Sequence, residues 1–136
     1  MSNTEKKSLS DKYKNYLSKG YIEAFLGMNS DRTFRAKELI SIAEKAECHN
    51  TGWPIGVTLT RDDLAPYPVE DGIEAVIPSH SERMFDYWSL RNTGDFYFVR
   101  TFQEDEKPII TEAGKNIIWF DVQIWRISEL LLYCLN

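Results

Sequence analysis

The stretch that decides the fold reads Phe85-Asp-Tyr-Trp-Ser-Leu-Arg91, Asn92-Thr-Gly-Asp95, Phe96-Tyr-Phe-Val-Arg-Thr-Phe102. Both arms are rich in aromatic and β-branched residues and alternate with a period of two, which is typical of β-strands. The linker between them contains a glycine that can take the positive φ of a tight turn. The sequence therefore predicts a β-hairpin over 85–102, with Phe85, Tyr87 and Ser89 on one face of its first strand and Asp86, Trp88 and Leu90 on the other.

Further strand signals lie on both sides of this hairpin. Residues 54–60 are β-branched and begin with a proline, which suits a strand's first position or an edge strand. Residues 73–77 follow an acidic, proline-containing loop that closes with Asp-Gly, a turn signal. Asn116-Ile-Ile-Trp-Phe120 is a further apolar run. We therefore expect a mostly antiparallel sheet of about five strands.

Helical periodicity marks both ends of the chain. Apolar residues spaced three and four apart predict a first amphipathic helix over about 9–27. Ser30 can cap a second helix, in which one face carries Phe34, Leu39, Ile40, Ala43 and Ala46. The two would form an N-terminal helical hairpin. A C-terminal helix over 122–135 follows from Ile124, Ile127, Leu131 and Cys134. The fold class is α+β, with a flexible N-terminus at 1–8 and a single domain at 9–136.

The length and composition exclude several classes of protein. A chain of 136 residues with 43% hydrophobic residues suits one globular domain. It contains no apolar run long enough to span a membrane and no secretory signal, so we expect a cytoplasmic protein without membrane association. The two cysteines, Cys48 and Cys134, are too few for a disulfide scaffold and are expected to be reduced.

Charge is distributed unevenly along the chain. The net charge of −5 opposes general adhesion to nucleic acid. Residues 1–20 carry five lysines against two acids, whereas residues 53–82 carry one arginine against six acids. The acidic centre indicates either a solvated loop or a surface for a basic partner.

No motif with strong catalytic meaning is present. Neither a zinc-binding cysteine or histidine pair, nor a serine nucleophile elbow, nor a phosphate-binding glycine loop occurs, so we predict no cofactor, no metal site and no catalytic residue. The carboxylates Asp86, Asp95 and Asp105 with Lys107 give a weak alternative, a metal-dependent nuclease. Whether the protein is an enzyme stays open, with a non-enzymatic role favoured.

A second alternative is a nucleic-acid-binding domain. Aromatic residues beside arginines can stack on single-stranded bases, although in a small α+β domain they more often form the core. The basic residues that would carry this role are Lys12, Lys14, Lys19, Arg91 and Arg100.

Several strings together resemble an uncharacterised domain of bacterial proteins, which often accompanies a Schlafen/AlbA-like DNA-binding module in regulatory or defence-associated proteins. The resemblance covers about residues 30–135. It rests on Gly52-Trp-Pro-Ile-Gly-Val57, Asp71-Gly-Ile-Glu-Ala75, Phe85-Asp-Tyr-Trp-Ser-Leu-Arg91, Gly94-Asp-Phe-Tyr97, Phe102-Gln-Glu-Asp105 and Phe120-Asp-Val-Gln-Ile-Trp-Arg-Ile-Ser-Glu-Leu-Leu-Leu-Tyr-Cys134. It implies an accessory domain of a regulatory or antiviral defence assembly and no known reaction.

The sequence therefore favours a non-enzymatic interaction or sensing module that binds a protein partner or a second copy of itself. The residues expected to contact a partner come from the acidic loop, the aromatic hairpin and the last helix. They are Asp62, Asp63, Glu70, Asp71, Asp86, Trp88, Arg91 and Arg126.

Overall fold

The computed structural model describes residues 20–28, 31–49, 53–78, 85–102 and 120–136. Its elements in chain order are β1 (Tyr21–Leu26), α1 (Ala36–Ala46), β2 (Tyr67–Val69), β3 (Gly72–Pro78), β4 (Phe85–Arg91), β5 (Phe96–Thr101) and α2 (Phe120–Leu135). The five strands form one antiparallel sheet in the order β1-β5-β4-β3-β2. The predicted α+β class and the five-stranded antiparallel sheet are confirmed.

The hairpin of β4 and β5 forms the centre of this sheet. β4 and β5 pair antiparallel, with Trp88 opposite Phe98 and Tyr87 opposite Val99. Gly94 takes a φ of +88° in the connecting turn, a conformation that glycine adopts without steric cost. The turn is closed by a hydrogen bond from the Arg91 amide to the Asp95 carbonyl at 2.8 Å. The predicted hairpin and its two faces are confirmed.

One face of the sheet carries the main hydrophobic core, against which both helices pack. Trp88, Phe96 and Phe98 project from the hairpin, and the ring of Tyr133 on α2 lies 4.7 Å from that of Phe96 between centroids. The remaining buried members of this cluster are Leu39, Ala43, Ala46, Ile55, Ile73, Ala75, Leu90 and Leu130. Burial of these apolar side chains is the principal stabilising contribution in this layer.

The opposite face of the sheet has a second buried cluster built from Phe85, Tyr87, Tyr97 and Val99. The rings of the two tyrosines meet edge to face at 5.9 Å. The Tyr87 hydroxyl donates a hydrogen bond to Glu74 at 2.8 Å, and the Tyr97 hydroxyl donates one to Glu23 at 2.7 Å. Burial and these carboxylate partners raise the pKa of both phenols, so both tyrosines stay protonated donors at neutral pH.

The expected first helix over 9–27 is wrong at its C-terminal end, because residues 21–26 form β1. Residues 9–19 lie outside the described part of the chain, so the expected helical hairpin stays a prediction. The segment Tyr21–Leu26 has a second periodicity, since its side chains alternate between exposed and half-buried positions. The whole segment pairs with β5, which satisfies its backbone hydrogen-bonding groups and stabilises the strand over the helix.

The second expected helix is confirmed as α1, although it begins later than a cap at Ser30 would imply. Ser30 lies outside the described residues. The Arg35 amide donates a hydrogen bond to the Glu38 carboxylate at 2.9 Å, which satisfies one free N–H at the start of the helix. The buried side of α1 is formed by Leu39, Ala43 and Ala46, as the periodicity predicts.

One expected strand is wrong, and a second lies almost entirely outside the described residues. Residues 54–60 form no strand: Ile55 and Gly56 lie in a turn in which Gly56 has a φ of +62°. Carbonyls of this segment instead accept hydrogen bonds from the side chains of Arg100 and Trp88. Of the run 116–120, only Phe120 is described, and it begins α2. The predicted strand at 73–77 is confirmed as β3, and the expected loop before it contains the short edge strand β2.

Candidate functional site

Four of the predicted partner-binding residues, Asp62, Asp63, Glu70 and Asp71, are exposed in the segment before β3, and we call them the acidic surface. Part of its charge is neutralised locally. Arg61 contacts Asp63 through both forks of the guanidinium, at 3.0 and 2.7 Å, and Arg91 forms an ion pair with Asp71. The acidic surface is therefore accessible, but two of its carboxylates already have cationic partners.

Asp86 lies inside the protein, which corrects its expected place on a binding surface. It forms a buried, two-point ion pair with Arg100, with N–O distances of 2.8 and 2.7 Å and only 4% of each residue exposed. Trp53 donates its indole N–H to the same carboxylate at 2.7 Å. Arg100 also donates to the carbonyls of Trp53 and Pro54, at 3.1 and 2.7 Å. This cluster attaches the 53–57 segment to the sheet and replaces the expected strand pairing.

Trp88 and Arg126 are also buried, so neither is available to a partner as we expected. Trp88 is completely buried and donates its indole N–H to the Val57 carbonyl at 3.0 Å. Arg126 lies on the inner side of α2, with its guanidinium 5.8 Å from the centroid of the Phe102 ring. These residues stabilise the fold.

The residues of the nucleic-acid alternative are not brought together on a described surface. Lys12, Lys14 and Lys19 lie outside the described residues. Arg91 is paired with Asp71, and Arg100 is buried with Asp86. Since phosphate contacts require accessible cations, burial excludes Arg100 from that role.

The nuclease alternative has no support from the described geometry. Asp86 belongs to the buried cluster, and Asp95 accepts a hydrogen bond from the Met28 amide at the opposite end of the hairpin. Asp105 and Lys107 lie outside the described residues. Within the described ranges, no group of three or more histidine, cysteine or carboxylate side chains is placed to hold a metal ion. Cys48 and Cys134 are free cysteines.

The most distinctive described surface is one that we did not predict as a site, the outer face of α2. It consists of Ile124, Trp125, Ile127, Leu131, Leu132 and Leu135, which are between 43% and 82% exposed. With Ser128 they occupy one side of the helix, since residues three, four and seven apart share a helical face. A contiguous apolar surface of this kind marks an interaction site in a monomer.

The inner face of α2 explains why sequence periodicity did not identify this surface. Its buried side chains are Arg126, Glu129, Leu130 and Tyr133. Two of these four are charged residues, whereas the apolar stripe that predicted the helix points outward. Arg126 and Glu129 lie three residues apart on α2, and both are buried. A helix with apolar residues on both sides leaves the choice of buried face to tertiary packing.

A cavity of about 320 Å³ adjoins the C-terminal end of α2. Its lining is mainly apolar and includes Phe34 and Leu39 from the α1 side, Leu90 and Phe96 from the hairpin, and Leu135 from the outer face of α2. Cys134 also lines it, and burial raises the pKa of that thiol. The apolar outer face of α2 therefore continues into a concave surface.

Neither helix among the described residues combines the length and apolar character needed to cross a bilayer.

Comparison of the chain with protein-family models, with curated proteins and with solved structures finds no match. The described residues form an α+β domain with two helices on one side of an antiparallel sheet and an exposed apolar helical surface.

Proposed function

We propose that the protein is a non-enzymatic interaction module that binds a protein partner through the outer face of α2. The observation that carries this proposal is the exposure of six large apolar side chains on one side of a single helix. At roughly 100 Å² of exposed apolar surface for each, these residues present on the order of 600 Å². That area equals the upper range of the largest apolar patch on a typical monomer and the lower end of one side of a specific interface.

The acidic surface supports the proposal as a second, polar region. Exposed carboxylates contribute to the specificity of an interface, because they exclude partners that would place like charges against them. The net charge of −5 disfavours an anionic membrane or nucleic acid as the occupant.

The chemistry of the cavity favours binding over catalysis. The thiol of Cys134 is the nucleophile at its wall, and a raised pKa keeps it in the unreactive protonated form at neutral pH. The buried Asp86 and Arg100 bond each other, and Arg100 also donates to backbone carbonyls, which is a structural arrangement. The bacterial regulatory or defence setting is part of this proposal and rests on the sequence resemblance alone.

The test is capture of partners from a lysate of the source cells with three tagged proteins: the wild type, Leu131→Glu and Phe25→Glu. Phe25 is a matched control, because it is an exposed apolar residue on β1, away from α2. We expect the wild type and the Phe25→Glu control to capture the same proteins even after the lysate is treated with nuclease. We expect Leu131→Glu not to capture them. Material that disappears on nuclease treatment, or identical capture by all three proteins, would contradict the proposal.

A further inference from the structure

We infer that the partner of the outer face of α2 is a second copy of this chain, paired through an antiparallel contact between the two α2 helices. This inference rests on the proposed function and names the occupant of the same surface. It begins from the spacing of Ile124, Ser128, Leu131 and Leu135, which are separated by four, three and four residues. That is the a/d spacing with which one helix packs against another of the same kind.

The residues beside this seam extend the apolar surface and suit a contact between identical helices. Trp125, Ile127 and Leu132 flank the seam and are all exposed. After Asp121, the charged residues of α2 are Arg126 and Glu129, and both are buried on the inner side. Two copies can therefore meet along 124–135 without bringing like charges together, which is a requirement for a surface that binds itself.

The single polar residue of the seam does not oppose burial. The Ser128 hydroxyl donates a hydrogen bond to the Ile124 carbonyl of its own helix at 2.9 Å. Its hydrogen-bonding need is met within one chain, so covering it leaves no unsatisfied donor. Its small size also allows the two helix backbones to approach closely at the middle of the contact.

The antiparallel direction follows from side-chain size. In an antiparallel pair, Ser128 of one copy lies against Leu131 of the other, and Ile124 lies against Leu135. Small and large residues then alternate along the contact and fill it. In a parallel pair, the two Ser128 residues would face each other and leave a gap between the leucines. A two-fold axis across the helices gives a closed dimer in which both copies use the same surface.

The area is sufficient for such a dimer. Roughly 600 Å² from each copy gives on the order of 1,200 Å² in total, the lower bound for a specific interface. The cavity beside Leu135 adds a concave surface at each end of the contact.

The first measurement is the mass of the full chain in solution, by sedimentation equilibrium from about 1 to about 200 µM protein. We expect a concentration-dependent species of twice the 15.9 kDa mass of one chain. Leu131→Glu places a carboxylate at the contact in both copies and is expected to raise the dimer dissociation constant at least about 100-fold. Phe25→Glu is expected to change it by less than about twofold. Circular dichroism verifies that each variant is folded.

A charge pair tests the direction of the helices. Ile124→Lys and Leu135→Glu should each weaken the dimer, and the double variant should recover its affinity to within about tenfold of the wild type, since the new charges face each other in an antiparallel pair. In a parallel pair they would face like charges, and the double variant would be weaker than either single variant. That result would overturn the antiparallel arrangement.

The outcomes separate this inference from the proposed function. A wild type that remains at one chain mass over the whole range overturns the second-copy inference. If such a monomer still captures proteins in a Leu131-dependent manner, the interaction module stands with another partner. If capture is also insensitive to Leu131→Glu, both proposals fail.

Discussion

The buried Asp86–Arg100 ion pair gives a quantitative test of how this domain is stabilised. Replacing Arg100 by leucine leaves the Asp86 carboxylate buried without its cation and removes the donors to the carbonyls of Trp53 and Pro54. Breaking one side of a buried pair costs about 3 to 5 kcal/mol, because the remaining charge is not compensated. For a domain of this size we therefore expect Arg100→Leu to lose about 4 kcal/mol of unfolding free energy, with a melting temperature lower by roughly 10 to 20 °C.

The double variant Asp86→Leu, Arg100→Leu should be more stable than Arg100→Leu. Removing both charges removes the uncompensated one, and the Trp53 indole is on the partly exposed side of the cluster, where water can accept its N–H. The remaining cost is about 1 to 2 kcal/mol for the two carbonyls that lose their donors. The two single substitutions should therefore be strongly non-additive, by about 3 kcal/mol or more.

The chain contains a control with the same geometry and different burial. Arg61 and Asp63 form a two-point ion pair at similar distances, but both side chains are more than half exposed. Arg61→Leu should change the unfolding free energy by less than about 1 kcal/mol. The measurement is urea unfolding followed by tryptophan fluorescence and by circular dichroism. If Arg100→Leu costs no more than Arg61→Leu, or if the double variant equals the sum of the singles, the buried pair is not the stabilising element we describe.

Two further predictions concern the backbone and pH. Gly56→Ala would force a residue with a side chain into a φ of +62° and place its Cβ about 2.5 Å from the ring of Tyr133, so we expect a loss of about 2 to 3 kcal/mol by urea unfolding. Gly27→Ala, where the nearest atom is 3.5 Å away, should change stability by less than about 1 kcal/mol, and equal effects would contradict this account. The hydrogen bond from the Arg35 amide lowers the pKa of Glu38 below 4.5, so the stability it contributes is present above that pH and is lost as the pH falls through the folded-state pKa. Glu38→Gln should therefore reduce the pH dependence of unfolding below 4.5, and an unchanged acid profile would argue against the cap.

Sequence reasoning located the elements with strong local signals. The 85–102 hairpin was predictable because its alternation and its glycine turn act over a few residues. The faces of α1 and the position of α2 were predictable for the same reason. The predicted binding residues were less successful: Asp86, Trp88 and Arg126 are polar or amphipathic residues whose burial depends on partners distant in the chain, such as Arg100 for Asp86 and Val57 for Trp88.

The sequence by itself determined the α+β class, the central hairpin and the acidic surface, because turn chemistry, alternation and charge are local properties. The tertiary structure decided the rest. Residues 21–26 form a strand because they pair with the edge of β5. Residues 54–57 form no strand, because the side chains of Arg100 and Trp88 donate hydrogen bonds to carbonyls of this segment. The outward direction of the apolar stripe of α2 was also set by tertiary packing, since Leu130 and Tyr133 join the core on the sheet while Ile124, Ile127 and Leu131 stay exposed.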